Sequence, residues 1–482
     1  MVLLSEKFSP LKSKNFKLLD DKTEKKTING AYDILEKVGV ELTDEESREI
    51  LNDAGAELDG ERVYLPAGLV KEAIESAPET FFLYDQTGED GFSLEGRKSY
   101  FGASIDGPAL LDPLEEGYRD CFEADIGWIV RMVDELANIS FLMPAGFAAD
   151  HDSTMAEIVA TKQVLLNTDK PFVAITESLD DLKAVHRMAE AKTERNFADK
   201  PFFVNYAEPI SPLVNPDSSA RKIRYCAETE IPLLYSPFLA MGATAPQSHT
   251  TAVAQGIAES LFGLVLQQRI NPGSPFVLGG MPSMMDMETA NFSYGAPDLQ
   301  LMSSAISEIG HELGLPVFGT AGTGDSKLFD GQAVLEALSS SYMATLAGTN
   351  LVHDVGLFGS AKILIPEMIV AMDEIIELLR HTLGSDQLSG DVEVGLLKEL
   401  GPGGEFVSHQ HTMENFKDSW YPRFIDRNPF SNETPEEAWS FEDAVRSYLK
   451  EFLAEDEGKP NAGKELSEEL QRVQEEFAAR KA

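Results

Sequence analysis

The sequence predicts an α/β protein: a closed (β/α)8 TIM barrel over residues 99–385, an N-terminal α+β cap over 1–98 and a mainly helical C-terminal extension over 386–482. Three observations predict it. Eight short β-prone runs begin near 99, 140, 171, 202, 232, 275, 316 and 351. Helix-length amphipathic stretches separate them, such as Ala156 to Leu166 and Ala252 to Gln268. The starts recur every 30 to 45 residues or so, the period of a βα unit, and eight such units close a barrel. A doubly wound open sheet is the alternative, since periodicity alone does not show closure.

The first 30 residues carry Lys7, Lys12, Lys14, Lys17, Lys22, Lys25 and Lys26 and read as a solvated, partly ordered terminus. The spacing of Ala31, Ile34, Leu35 and Val38 predicts a helix, and two shorter helices follow, around Glu45 to Ala54 and Pro66 to Ser76. Asp59-Gly60 between apolar residues predicts a hairpin, as does the stretch FFLYDQTGEDGFSLEG after it. The eight runs SYFGASI, SFLMPA, PFVAIT, FFVNYA, PLLYSP, PFVLGG, PVFGTA and LVHDVG are the barrel strands. The last barrel helix is expected over Ile363 to Leu383. Beyond it lie Trp420, Trp439 and a Glu/Lys-rich helix near Glu465 to Ala479, most simply a solvated helix face.

The chain has 482 residues, with 81 Asp and Glu against 40 Lys and Arg, a formal charge of −41. A surface so acidic excludes nucleic acids and other polyanions as default partners. Hydrophobic residues at 43 % and charged residues at 25 % are ordinary globular values, so the acidity is not that of a disordered chain. Dense hydrated carboxylates suit high salt, where screening removes self-repulsion, and a halophilic source is the expectation. Two cysteines, Cys121 and Cys226, cannot build a disulfide framework. With neither a signal-peptide core nor an apolar run of roughly 18 residues, a cytoplasmic protein without membrane contact is expected.

In a barrel, the residues just after each strand face one mouth. Here they include Asp106, Phe147, Glu177, Tyr206, Glu208, Tyr235, Phe238, Met281, Gly322, His353, Asp354 and Phe358. Aromatics, methionines and acids dominate, and Lys and Arg are nearly absent. Such a lining suits a cation: ring quadrupoles attract a quaternary ammonium by roughly 0.5 to 2 kcal/mol per ring, and thioethers pack its methyls. Metal ligation is unsupported, because neither cysteine has a His or Cys within four residues and the His409-x-His411 pair lacks a third ligand nearby. No nucleophile elbow occurs, and the Gly order in GTAGTGD is wrong for a dinucleotide fingerprint. His353 lies mid-strand, and alternation points its neighbour Asp354 the opposite way.

Several segments carry a family resemblance. NYAEPISPL, SPFLAMGATAP, GGMPSMMDMETANFSYGAPD, GTAGTGDSKLFDGQA, LAGTNLVHDVGLFGSA and the tail's SHQHTMENFKDSWYPRFIDR together resemble the trimethylamine:corrinoid methyltransferase superfamily, as does AYDILEKVGVELTDEESREIL near the start. The resemblance spans essentially the full chain. It implies a TIM-barrel enzyme that moves a methyl group from an amine to the Co(I) corrinoid (cobalamin) of a partner protein, binds no metal itself and forms a homo-oligomer. Founding members carry pyrrolysine. This chain has none, so it resembles the branch that includes glycine betaine methyltransferases and implies methanogenic or acetogenic one-carbon metabolism.

The chemistry fits that branch. A quaternary ammonium leaves as a neutral tertiary amine, so neither general acid nor metal is needed, and catalysis reduces to desolvation and orientation. With glycine betaine as donor, the products are dimethylglycine and a methyl-Co(III) corrinoid. His353 is the candidate for the betaine carboxylate, helped by backbone N–H groups of the 319–324 loop around Gly322. Asp106 and Glu208 are candidates to face the ammonium or to hold the other nitrogen of His353. Tyr206, Tyr235, Phe238, Met281 and Phe358 are the expected cage. Other betaines (proline betaine, carnitine, γ-butyrobetaine), a metal-dependent transferase acting on methanol or a thiol, and a non-catalytic betaine-binding protein are the alternatives.

Overall fold

The computed structural model describes residues 8–12, 16–115, 117–193, 195–383, 390–431, 434 and 437–481. Lys7 and Lys14 of the basic terminus lie outside these residues. All eight runs are strands: β1 (Lys98–Ser104), β2 (Ile139–Met143), β3 (Phe172–Ile175), β4 (Phe203–Ala207), β5 (Leu233–Tyr235), β6 (Phe276–Leu278), β7 (Phe318–Thr320) and β8 (Leu351–Val355). They pair in parallel in chain order, and β8 returns to β1. A parallel bridge between Leu278 and Val317, with the Leu278 N–H donating to the Pro316 carbonyl at 2.9 Å, joins β6 to β7 and closes the barrel.

The crossover helices are α1 (Glu123–Glu135), α2 (Ala156–Asn167), α3 (Leu179–Lys192), α4 (Asp217–Thr229), α5 (His249–Ile270), α6 (Pro297–Glu312), α7 (Gly331–Ala347) and α8 (Pro366–Leu383). Side-chain caps fix several starts: Ser178 and Asp181 form a reciprocal capping box on α3, and Asp330 accepts from the Ala333 N–H on α7. The last barrel helix begins three residues later than its pattern suggests, because Ile363–Leu364 is spent on a strand paired with Leu357–Phe358. Cys226 lies on α4, whereas Cys121 precedes α1 rather than lying on it.

α5 is buried on nearly every side, since the Asp21–Asp33 and Ala67–Ser76 helices of the cap lie over it. That explains its small residues: a Cβ at Gly30 would meet the Ala254 Cβ at 3.5 Å. Its apolar run is a covered core helix, and Glu259 within it is satisfied by Ser211 Oγ (2.6 Å), the Leu213 N–H (3.1 Å) and Gln255 Nε2 (2.8 Å). Among the described residues no helix is long and apolar enough to cross a membrane.

The cap also reaches into the barrel. Its hairpin Phe81–Tyr84/Gly91–Leu94 places Leu83, Phe92 and Leu94 in one cluster with the inward side chains Tyr100, Phe141, Val173, Val204, Leu234, Val277, Phe318 and Leu351, and Phe92 stacks on Tyr100 at 4.1 Å. The end of the barrel where the strands begin is thereby filled, leaving the opposite mouth for chemistry. In the extension, α9 (Val394–Leu400), α10 (Gln410–Asn415), α11 (Phe441–Glu455) and α12 (Lys464–Lys481) follow. His409 caps α10, accepting from the His411 N–H at 3.1 Å.

Candidate active site at the barrel mouth

Excursions after the strands build the walls of the mouth. The segment after β5, Phe238–Met241, pairs in parallel with the segment after β6, Met281–Met284, setting Phe238 beside Met281. On the far side, Ile363–Leu364 pairs with Ala109–Leu111. Asp325, which the GTAGTGD motif would bring against a phosphate, is instead a tie point. It accepts from the Tyr294 N–H (2.9 Å), the Gly295 N–H (3.1 Å), Ser360 Oγ (3.0 Å) and Ser293 Oγ, pinning the loops after β6 and β8 together.

Strand alternation sends Tyr206 of β4 inward, where its ring lies 6.1 Å from Phe318 and its hydroxyl donates to Glu208 Oε2 at 2.8 Å. Burial first, and then the Glu208 charge, hold the phenol far above its usual range. Tyr294, returning from the long loop after β6, packs with Met281 and Leu299. Burial again raises it most, followed by the charges of Asp354, Glu208 and Asp325. Phe292 sits against Tyr294 at 5.4 Å and against Phe238 at 4.0 Å, and Phe238 is exposed on the rim. Met281 and Phe238 thus meet at one wall, to which Tyr294 and Phe292 are added, and Tyr206 lies in electrostatic reach of Tyr294. The NFSYG stretch holding both additions is aromatic, but its distance from β6 in sequence hid its return to the mouth.

His353 faces inward from β8, stacked on Phe318 with centroids 4.1 Å apart and planes 12° apart. Its Nε2 is 2.7 Å from Thr320 Oγ1. Asp354 does not point the opposite way. The β8–β1 register slips between Val352 and Val355, a bulge with Asp354 at φ +74°, and Val352 and Val355 both face the outer core. Such an extra residue re-aims its side chain. Asp354 Oδ1 therefore lies 2.8 Å from His353 Nδ1, and its charge acts on Tyr206 and Tyr294. Thr320 occupies one nitrogen of His353 and the Asp354 carboxylate lies against the other without hydrogen-bond alignment, so a substrate carboxylate placed there would meet a like charge.

Four expected site residues are used elsewhere. Tyr235 points out of the barrel, since β5 alternation turns Leu234 inward, and a Cβ at Gly263 of α5 would overlap the Tyr235 ring. Phe358 is fully buried in the outer core. The Gly322 N–H donates to Ser340 Oγ on α7 at 3.1 Å, and the nearby N–H groups of Asp325 and Ser326 donate to Glu336 at 2.8 and 3.1 Å. Asp106, wholly buried, accepts from the N–H groups of Ala145, Gly146 and Phe147 at 2.7, 2.7 and 2.8 Å. Burial raises its pKa while those three donors oppose the rise, so Asp106 clamps the loop after β2.

The assembled site is an aromatic wall with three carboxylates, Glu208, Asp354 and Asp325, in electrostatic reach of its phenols. Among the described residues, no three His, Cys, Asp or Glu side chains converge as metal ligands would. Lys222, whose amine also interacts with Glu208, is buried behind the wall and donates to the Thr176 carbonyl. Such a site can hold a desolvated cation without hydrogen-bonding it.

Comparison with known proteins adds four findings. The family model described as Trimethylamine methyltransferase (MTTB) matches residues 6–482. The chain is 26 % identical over 428 residues to the glycine betaine methyltransferase of Desulfitobacterium hafniense (strain Y51), covering 86 % of this chain and 88 % of that one. It is 25 % identical over 405 residues to the trimethylamine methyltransferase MttB of Desulfitobacterium hafniense (strain DSM 10664 / DCB-2), covering 83 % and 82 %. In fold it is similar to the crystal structure of the Methanosarcina barkeri monomethylamine methyltransferase (MtmB), with a TM-score of 0.53 at 10 % identity over 95 % of this chain and 87 % of that one.

Proposed function

Because the chain belongs to the trimethylamine methyltransferase family and is a methyltransferase, we propose that it moves a methyl group from a quaternary amine, with glycine betaine the first candidate, to the Co(I) corrinoid of a partner protein. The observation that carries this reading is the mouth itself: Tyr206, Tyr294, Phe292, Phe238 and Met281 beside the carboxylates of Glu208, Asp354 and Asp325. The relative named as a glycine betaine methyltransferase supports the choice of donor.

The C–N bond breaks with its electron pair staying on nitrogen, which leaves as a neutral tertiary amine. The methyl carbon takes its new pair from the nucleophile opposite, and no proton moves. The corrinoid supplies that nucleophile when its carrier docks. The mouth fits delivery from outside, since Glu208 and Phe238 are exposed on the rim while the aromatic wall lies beneath. The chain's own residues exclude water from the ammonium and aim one methyl outward, so the barrier is lowered by placement.

The test is a panel of quaternary amines, glycine betaine included, with cob(I)alamin, followed by its visible spectrum and by the tertiary amine formed. One dimethylglycine per cobalamin methylated is the expected outcome with glycine betaine. No methylation with any member of the panel overturns the reading. Tight binding without methylation would instead favour a binding protein.

A further inference from the structure

Asp354 carries an oxygen that the fold leaves unanswered. The residue is 6 % exposed, and its Oδ2 is buried without a hydrogen-bond partner among the described residues. Its other oxygen faces His353 Nδ1 at 2.8 Å, but that contact lacks hydrogen-bond alignment, because Nδ1 too is buried without a hydrogen-bond partner. Burying a carboxylate oxygen away from every donor is expensive, and folds pay it where a ligand repays it.

The surroundings identify the ligand. The bulge holds Asp354 at φ +74°, a conformation that side chains seldom adopt, and so turns it into the barrel. His353 is held against it by Thr320 at 2.7 Å and by the Phe318 ring beneath. The carboxylate is therefore oriented before anything binds. The rings in its electrostatic reach are Tyr206 and Tyr294, and the other charges acting on Tyr294 are Glu208 and Asp325, both acids. A primary ammonium or guanidinium would call for several converging acceptors. One fixed, donor-free oxygen beside aromatic faces suits a cation with no N–H to donate.

We propose that Asp354 is the counter-ion that receives the quaternary ammonium head, fixed in place by the β8 bulge and by His353; this rests on the quaternary-amine reading above. His353 is then a positioning residue, and a betaine carboxylate must lie away from Asp354.

The experiment compares cations with their uncharged-head carbon isosteres on the full chain by titration calorimetry: choline against 3,3-dimethyl-1-butanol, and glycine betaine against 3,3-dimethylbutanoate. The wild type should prefer the cation by at least about 30-fold in one pair or both. Asp354→Asn, whose side chain tolerates positive φ, should bring that ratio to within about threefold while the isostere binds as before. A merely structural role would weaken both members alike. A wild-type ratio near one in both pairs, or a ratio that survives in Asp354→Asn, overturns the assignment, and the wild-type result decides even if the variant fails to fold. Cob(I)alamin methylation is measured alongside. A collapsed ratio without methylation by the wild type sinks the transfer reading and spares Asp354, whereas methylation with an unchanged ratio does the reverse.

Discussion

At the scale of single residues, the mouth divides into side chains that face its interior and side chains that hold the fold still. Tyr235 is the sharpest case: an aromatic at the end of a barrel strand, as Tyr206 is, yet on the outward parity. Its hydroxyl is buried without a hydrogen-bond partner among the described residues. Tyr235→Phe should therefore leave kcat/KM for a quaternary amine unchanged and leave the unfolding midpoint unchanged or higher, since it deletes an unsatisfied polar group. A tenfold loss of activity would return Tyr235 to the cage. Asp106 and Gly322 teach the same point. Both stand at strand ends, and both are spent on neighbouring backbone or helix.

At the scale of elements, the loops after β2 and β3 meet at the start of α2, where Glu157 Oε2 accepts from the Glu177 N–H at 3.2 Å. Burial, then the charge of Asp181, push the Glu157 carboxyl up to about 7. The folded chain thus binds this proton more tightly than the unfolded chain does. Stability from this group is greatest below the unfolded value of 4.5 and is lost as pH rises from there through about 7. Glu157→Gln should match the wild-type midpoint near pH 5 and exceed it by about 2 °C or more near pH 8 in thermal scans. Equal midpoints at both pH values would mean that the carboxyl titrates normally. Elements were also where the sequence was most legible: the eight strands read as short apolar runs, because parallel strands with helices outside and a filled barrel inside are buried on both faces, whereas α5, expected to be amphipathic, is covered on nearly every side. The bulge in β8 was not legible. Its extra residue is decided by pairing with β1, and LVHDVG reads as a regular strand by itself.

At the scale of the whole molecule, the charge of −41 predicts self-repulsion that salt relieves, so the unfolding midpoint should rise from low to molar salt. A midpoint indifferent to salt would remove the case for a salt-adapted protein. Circular dichroism melts across a sodium chloride series measure it. The sequence by itself determined the eight strands and the helices between them, and its motifs carried the resemblance to the family, while closure of the barrel was left open. The strands and helices follow from period and the family resemblance from particular motifs, and both are properties of local sequence. The tertiary structure alone decided which mouth residues face inward, that Tyr294 and Phe292 return to the wall, that the cap hairpin fills the far end, and that Asp354 joins His353. Those outcomes depend on strand parity, loop return and a register slip of one residue, and each is fixed by contacts between segments far apart in sequence.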